Sequence, residues 1–297
     1  MIVILCPVCR QPLSRDAKSW HCLREHSFDV AREGYINLLP VQQKNSREPG
    51  DDPQTVMARR EFLQAGHYQP LRDALLALAA PLQSQSLLDI GCGEGYYTGA
   101  LAAVSAQVTG IDIARPAIRI AAKRYPEVTW LVGSGAHLPV ADGTVDLVCN
   151  IFTQLHVAEM HRVLRPEGHV LVVTPAAGHL RRIREQLFDE VRPYDKDKFL
   201  GAFEAQFELR SRQELQFPLS LAQPGLRQLL QMTPYAWKAK PERRAALEAS
   251  ERQDTEAAFS LLLFRRRPPV AELAGAAPAE KPAPRWPGRG GSQSDPE

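Results

Sequence analysis

At 297 residues the chain is long enough for one full α/β domain plus one or two smaller modules. Its 44% hydrophobic and 24% charged content is ordinary for a soluble protein, and a net charge of +2 does not by itself announce a nucleic-acid partner. No apolar run approaches the roughly 20 residues of a membrane span, and the opening MIVIL is too short for a signal-peptide core, so a cytoplasmic protein with no membrane partner is expected.

Five cysteines are present, three of them within the first 22 residues. Cys6, Cys9, Cys22 and His26 form a C-x2-C-x12-C-x3-H pattern, in which two tight turns each bring a pair of ligands to one ion. Four N/S ligands at this spacing suit a tetrahedral, structural Zn²⁺ with no position left for water. His21 competes with His26, but adjacent residues in a knuckle rarely bind the same ion. Around the ligands, Arg10, Arg15, Lys18 and Arg24 outnumber Asp16 and Glu25. Trp20 and Phe28 could stack on bases or simply pack a very small core.

The polar stretch Gln42 to Pro53 reads as a linker or a functional loop. Helical patterns follow over Thr55 to Leu63 and Leu71 to Ala80, the second stopped by Pro81. Strand and helix signals then alternate, which argues for βαβ units and a parallel sheet. The expected strands are Ser86–Ile90, Gln107–Ile111, Thr129–Val132, Val145–Cys149 and His169–Val173. A helix near Gly95, another over Ala117–Arg124 and a third over His156–Leu164 lie between them. Farther on, Phe207–Leu219 is expected as paired strands, Ala222–Met232 as a helix and Phe259–Arg265 as a closing strand on an antiparallel edge. The segment 268–297 carries seven prolines among Gly, Ser and Ala, and disorder is expected there. Basic clusters at Arg59-Arg60, at Arg181-Arg182 with Arg184, and at Arg265 to Arg267 could each bind phosphate or be a solvated face.

Asp89 to Gly95 reads DIGCGEG and sits between a strand and a helix. Gly91 and Gly93 let the backbone bend and approach a ligand without a Cβ in the way. Asp89 is suited to an ammonium group or ordered water, and the helix start near Gly95 to a carboxylate. An amino acid presents both groups together. Asp112 ends the second strand nineteen residues after Gly93, where a carboxylate can take both hydroxyls of a ribose. The spacing departs from G-x-G-x-x-G and no second pyrophosphate fingerprint follows, which favours S-adenosylmethionine over NAD. Gly133-Ser134-Gly135 frames an adenine or is plain turn chemistry. Cys92 reads as a small buried residue. The fold class expected is therefore α/β, a Rossmann-like class I methyltransferase sheet with helices on both faces, preceded by a small zinc ribbon. Residues 1–40 form the ribbon, 41–83 a linker loop and helices, 84–267 the methyltransferase domain and 268–297 the tail.

The stretches CPVC, CLREHSFD, REGYINLLPVQ, SREPGDD, ARREFLQAGHYQPLRD, DIGCGEGYYT and QMTPYAWKAKPE resemble the bacterial 23S ribosomal RNA (guanine-N1)-methyltransferase family over about residues 4 to 265. The resemblance implies methyl transfer from S-adenosylmethionine to N1 of a guanine in a hairpin loop of 23S rRNA, a ribbon that helps grip the RNA, and a homodimer. It also implies that Tyr68 lies along the cofactor with Gly93 and Glu94, and that His179 closes the site from the other side. From the residues alone, Tyr68 reads as core before cofactor wall, and His179 as an unremarkable helix-start residue. One segment departs from the family. Where a small-Pro pair follows the fourth strand, this chain has Asn150-Ile151-Phe152-Thr153-Gln154. Fold analogy places Asn150 where it could bind the guanine edge, and His156 and His179 are candidate proton acceptors. The alternatives are a small-molecule methyltransferase, which leaves the ribbon and the SREPGDD loop without a purpose, and an inactive zinc-dependent RNA-binding protein.

Overall fold

The computed structural model describes residues 1–44, 46, 48–191 and 200–268. The tail expected to be disordered falls, from residue 269 on, outside the described residues.

The N-terminal module is a three-stranded antiparallel sheet of β1 (Ser14–Arg15), β2 (Ser19–His21) and β3 (Ser27–Asp29). Trp20 and Phe28 lie opposite each other across β2 and β3. Both are partly buried against an apolar cluster that includes Ile4, Leu13 and Val140, so they pack the ribbon's core. The chain ahead of the ribbon is held on the main domain, with the Leu5 amide donating to the Pro139 carbonyl at 2.9 Å. β4 (Ile36–Asn37) then leaves the ribbon and joins the large sheet in parallel beside β7 (Thr129–Val132). This strand was not expected, because two residues carry no period of their own.

Asp52 caps α1 (Pro53–Gln64): its carboxylate accepts from the amides of Gln54 and Thr55, and Pro53 occupies the first turn. α2 (Gln69–Ala79) follows with Leu71 and Leu75 inward. Next in order are β5 (Ser86–Ile90), α3 (Tyr96–Leu101), β6 (Gln107–Asp112), α4 (Arg115–Arg124), the β7 strand, β8 (Val145–Ile151), α5 (Val157–Val163) and β9 (Leu164–Pro175). All five residues of β5 are buried, as a strand covered on both faces requires. Leu87 belongs to one apolar layer and Leu88 and Ile90 to the other.

α6 (Arg181–Leu187) and α7 (Leu200–Glu204) lead to β10 (Phe207–Ala222), α8 (Gln223–Met232), α9 (Tyr235–Lys238), α10 (Pro241–Glu248) and β11 (Arg252–Arg266). The strand order is β10-β11-β9-β8-β5-β6-β7-β4, with β11 antiparallel to both its neighbours, β9 and β10, and the other neighbouring pairs parallel. Paired strands over Phe207–Leu219 are corrected to one strand, β10, whose partner is β11. β10 is the sheet edge, so Pro218 costs it no ladder bond on its open side and does not end it. The antiparallel edge itself is as expected.

Candidate functional site

The turn after β5 takes positive φ at all three glycines: +73° at Gly91, +56° at Gly93 and +83° at Gly95. Their surroundings differ. A Cβ on Gly91 would stand 2.5 Å from Thr153 Oγ1, and one on Gly95 2.6 Å from Trp130 Cη2. A Cβ on Gly93 would meet nothing nearer than Arg59 Nη1 at 3.9 Å. The outer glycines are therefore required by packing, while the middle one presents bare backbone to open space. The amides of Gly91 and Cys92 both donate to the Ile111 carbonyl, at 2.8 and 3.2 Å.

Asp112 accepts from the Gly93 amide through Oδ2 at 2.9 Å and from the Ala114 amide through Oδ1 at 2.7 Å. Each oxygen keeps a lone pair for a further donor, as two vicinal hydroxyls would supply. Burial raises its pKa, against the pull of the two amides. Asp89 is 2% exposed. Its Oδ2 accepts from Thr98 Oγ1 at 2.6 Å, while its buried Oδ1 has no partner. Burial pushes its pKa up to about 7, opposed by the Thr98 hydrogen bond. Glu94 is raised by burial too, with Arg59 pulling the other way. Cys92 is buried and its thiol pushed well up by that burial, which suits a packing residue and not a nucleophile.

These groups line a cavity of about 710 Å³. All seven residues expected at the cofactor, Tyr68, Asp89, Gly91, Gly93, Glu94, Asp112 and His179, are in its wall. Tyr68 is wedged edge-on between Phe62 and Phe259, each ring centroid 5.0 Å away. His179 Nδ1 accepts the Ala258 amide at 3.2 Å, so in the neutral ring the proton is on Nε2. Burial lowers its pKa to about 3, with Arg184 adding to the effect. With Nδ1 engaged by the backbone, Nε2–H is the polar group the neutral ring has to offer the cavity.

Sequence reasoning missed several members of the wall. Gly50 and Asp51, from the SREPGDD loop, and Arg59 of α1 stand beside Asp112 and Glu94. Arg59 pairs with Asp51 at 2.5 Å. Burial opposes its charge, yet Asp51, Glu94 and Asp112 together hold its pKa above the ordinary value. The Arg59-Arg60 pair stands out in the sequence as a basic cluster, a phosphate site or a solvated face, but nothing local ties Arg59 to the glycine turn. The loop's density of Gly and Asp was the available sign.

The cavity fits S-adenosylmethionine on its own chemistry. Four carboxylates, those of Asp51, Asp89, Glu94 and Asp112, face one guanidinium in its wall, which favours a ligand carrying ammonium and sulfonium charge. Three buried polar atoms without a partner, Asp89 Oδ1, the Tyr97 hydroxyl and Thr174 Oγ1, belong to wall residues.

Neither expected catalytic candidate is in that wall. Asn150 is 1% exposed and lies on β8 between Cys149 and Ile151, which belong to the cavity-side layer, so alternation turns it to the opposite face. Its Nδ2 donates to the Gln154 carbonyl at 3.2 Å and pins the turn that follows the strand. His156 packs on Gly135, where a Cβ would be 3.0 Å from its Cδ2, and burial lowers its pKa.

In the ribbon, the ligand atoms of Cys6, Cys9, Cys22 and His26 all lie within 4.8 Å of one another. Cys9 and Cys22 Sγ are 3.6 Å apart, and His26 Nδ1 is 3.6 Å from Cys6 Sγ and 3.3 Å from Cys22 Sγ. These edges fit a tetrahedron with metal–sulfur bonds of about 2.3 Å. His21 instead approaches Asp16.

Comparison with known proteins finds a match for each of the two parts. Residues 4–47 match the zinc-ribbon family model described as RlmA, N-terminal, and residues 88–172 the methyltransferase domain model. A Micromonospora griseorubida protein provisionally named a 23S rRNA (guanine-N1)-methyltransferase is 34% identical, over 89% of this chain and 96% of its own. The 23S rRNA (guanine(748)-N1)-methyltransferase of Streptomyces fradiae is 31% identical, over 81% and 88%. A Bacillus subtilis protein, also provisionally named for the guanine-N1 activity, is 30% identical over 87% and 95%.

Proposed function

The chain belongs to the 23S rRNA (guanine-N1)-methyltransferase family, and from that premise we propose that it methylates N1 of a guanine in a hairpin loop of 23S rRNA. It is an S-adenosylmethionine-dependent methyltransferase with a structural zinc ribbon. The observation that carries the substrate reading is the joining of the two parts in one chain, a Cys3His ribbon docked on a sheet whose glycine turn opens on an acidic cavity.

The bound cofactor supplies the methyl group. The protein's part is placement. Asp112 takes the ribose, Asp89 the amino group, and Gly93 and Glu94 border the methionine end, with Tyr68 and His179 fixing the far wall. Guanine N1 carries a proton, so its lone pair reaches the methyl carbon only as that proton leaves. The base must leave its stack and meet the methyl in line, and alignment supplies most of the acceleration. Asn150 acts through the Gln154 carbonyl by holding the turn at the cavity mouth. Residues 1–40 serve as the RNA-gripping ribbon, 41–83 as the connecting loop and helices, and 84–267 as the catalytic domain. A cytoplasmic homodimer completes the reading. No helix among the described residues is long and apolar enough to cross a membrane.

Methyl transfer to 23S rRNA transcripts with and without the target hairpin tests the proposal. Transfer that needs the hairpin supports it, and transfer to small molecules alone contradicts it.

A further inference from the structure

Among the large apolar side chains exposed in the described residues, only two are aromatic: Phe152 at 43% and Trp237 at 64%. Both line the same cavity as the glycine turn. An exposed aromatic ring forgoes burial, and two at the mouth of one cavity ask for a ligand with an apolar planar face.

Phe152 is held there by backbone. It follows the last residue of β8 with φ of +59°, a conformation that bulky L residues rarely adopt. Its amide donates to the Val173 carbonyl at 3.2 Å, and Asn150 Nδ2 closes the same turn on Gln154. The next residue, Thr153, packs directly on Gly91 of the cofactor turn. The Phe152 ring leans on Phe259, 5.3 Å between centroids and 48° between planes. The ring is thus fixed beside the segment that packs on the glycine turn. Trp237 reaches the same mouth from α9, a different element.

We propose that Phe152 and Trp237 grip the everted target guanine by stacking on its purine faces, Phe152 as the rigid platform and Trp237 as the exposed partner. The assignment rests on the RNA methyltransferase reading and deepens it. Stacking suits this task because every base presents a π-face, so the pair holds the purine while leaving the choice of nucleotide to other contacts.

The test is steady-state kinetics on the 23S hairpin transcript with Phe152→Leu, Trp237→Leu, Phe152→Tyr and Trp237→Phe, alongside calorimetric binding of S-adenosylmethionine. Each leucine variant is expected to raise KM for RNA about tenfold while changing cofactor Kd less than about twofold, and the aromatic replacements to restore KM to within about threefold. Trp237 is so exposed that its variants fold whatever happens at Phe152. Leucine variants with wild-type KM overturn the assignment alone. So do aromatic replacements no better than leucine, since that marks bulk and not stacking. A wild-type enzyme that methylates no RNA overturns the assignment and the reading together.

Discussion

The backbone amide of Gly93 donates to Oδ2 of Asp112 at 2.9 Å, so the turn after β5 and the end of β6 form one corner of the acidic cavity. The carboxylate orders the turn and retains lone pairs, which the proposed function gives to the ribose. Asp112→Ala removes both functions. It is expected to weaken S-adenosylmethionine binding about tenfold to a hundredfold by calorimetry, as loss of one or two charge-assisted hydrogen bonds implies. Unchanged affinity would remove Asp112 from the site.

Gly91 and Gly93 should separate stability from binding. Gly91→Ala drives a methyl group into Thr153 and costs about 1–3 kcal/mol of stability. Gly93→Ala meets open space and costs only the strain of its positive φ, about 1 kcal/mol, while its Cβ intrudes where the ligand passes. Melting curves with and without cofactor should show Gly91→Ala lower in Tm and Gly93→Ala less responsive to ligand. Equal melting losses would contradict this division.

Asp89 gives the ligand-free protein a pH dependence with a definite sign. Its folded pKa of about 7 stands above the unfolded value of 3.8, so its contribution is greatest below pH 3.8 and is lost as pH rises to about 7. The loss is on the order of 4 kcal/mol at most, the energy of about three pKa units. Asp89→Asn keeps an acceptor for Thr98 and should flatten this part of the stability profile. Cofactor binding should strengthen with pH through about 7 in the wild type, as the carboxylate ionises to meet the amino group, and not in the variant. A wild-type profile matching Asp89→Asn would refute the assignment.

Much of this was readable in advance. Strands such as β5 stood out because burial on both faces demands an unbroken apolar run, and DIGCGEG with Asp112 carries its chemistry in residue identity and spacing. The ribbon ligands were readable for the same reason. β4 was not, because Ile36 and Asn37 become a strand only by meeting β7. Asn150 was misplaced because fold analogy locates the end of β8 but not which face a side chain takes. Arg59, in a visible basic pair, and Asp51, in a visible polar loop, reach the cavity with Phe152 through tertiary approach of a helix, a loop and a turn, so the sequence marks the first two without saying where they meet.

If the ribbon grips RNA as proposed, loss of its metal affects RNA binding and not the cofactor. Cys6 and Cys22 are buried in the cluster that seats the module on the main sheet. Chelation of zinc, or Cys22→Ser, should lower Tm and reduce affinity for the 23S hairpin, while S-adenosylmethionine binding changes less than about twofold, as expected of a folding metal distant in role from catalysis. Protein that retains full RNA affinity after verified metal loss would contradict the ribbon's assigned part.

The central claim is that the acceptor is N1 of a guanine in 23S rRNA. Mass-spectrometric mapping of 23S rRNA from cells with and without the gene tests it most directly. The account predicts one N1-methylguanine, in a hairpin loop, present with the gene and absent without it. Identical guanine methylation in the two RNAs would contradict it.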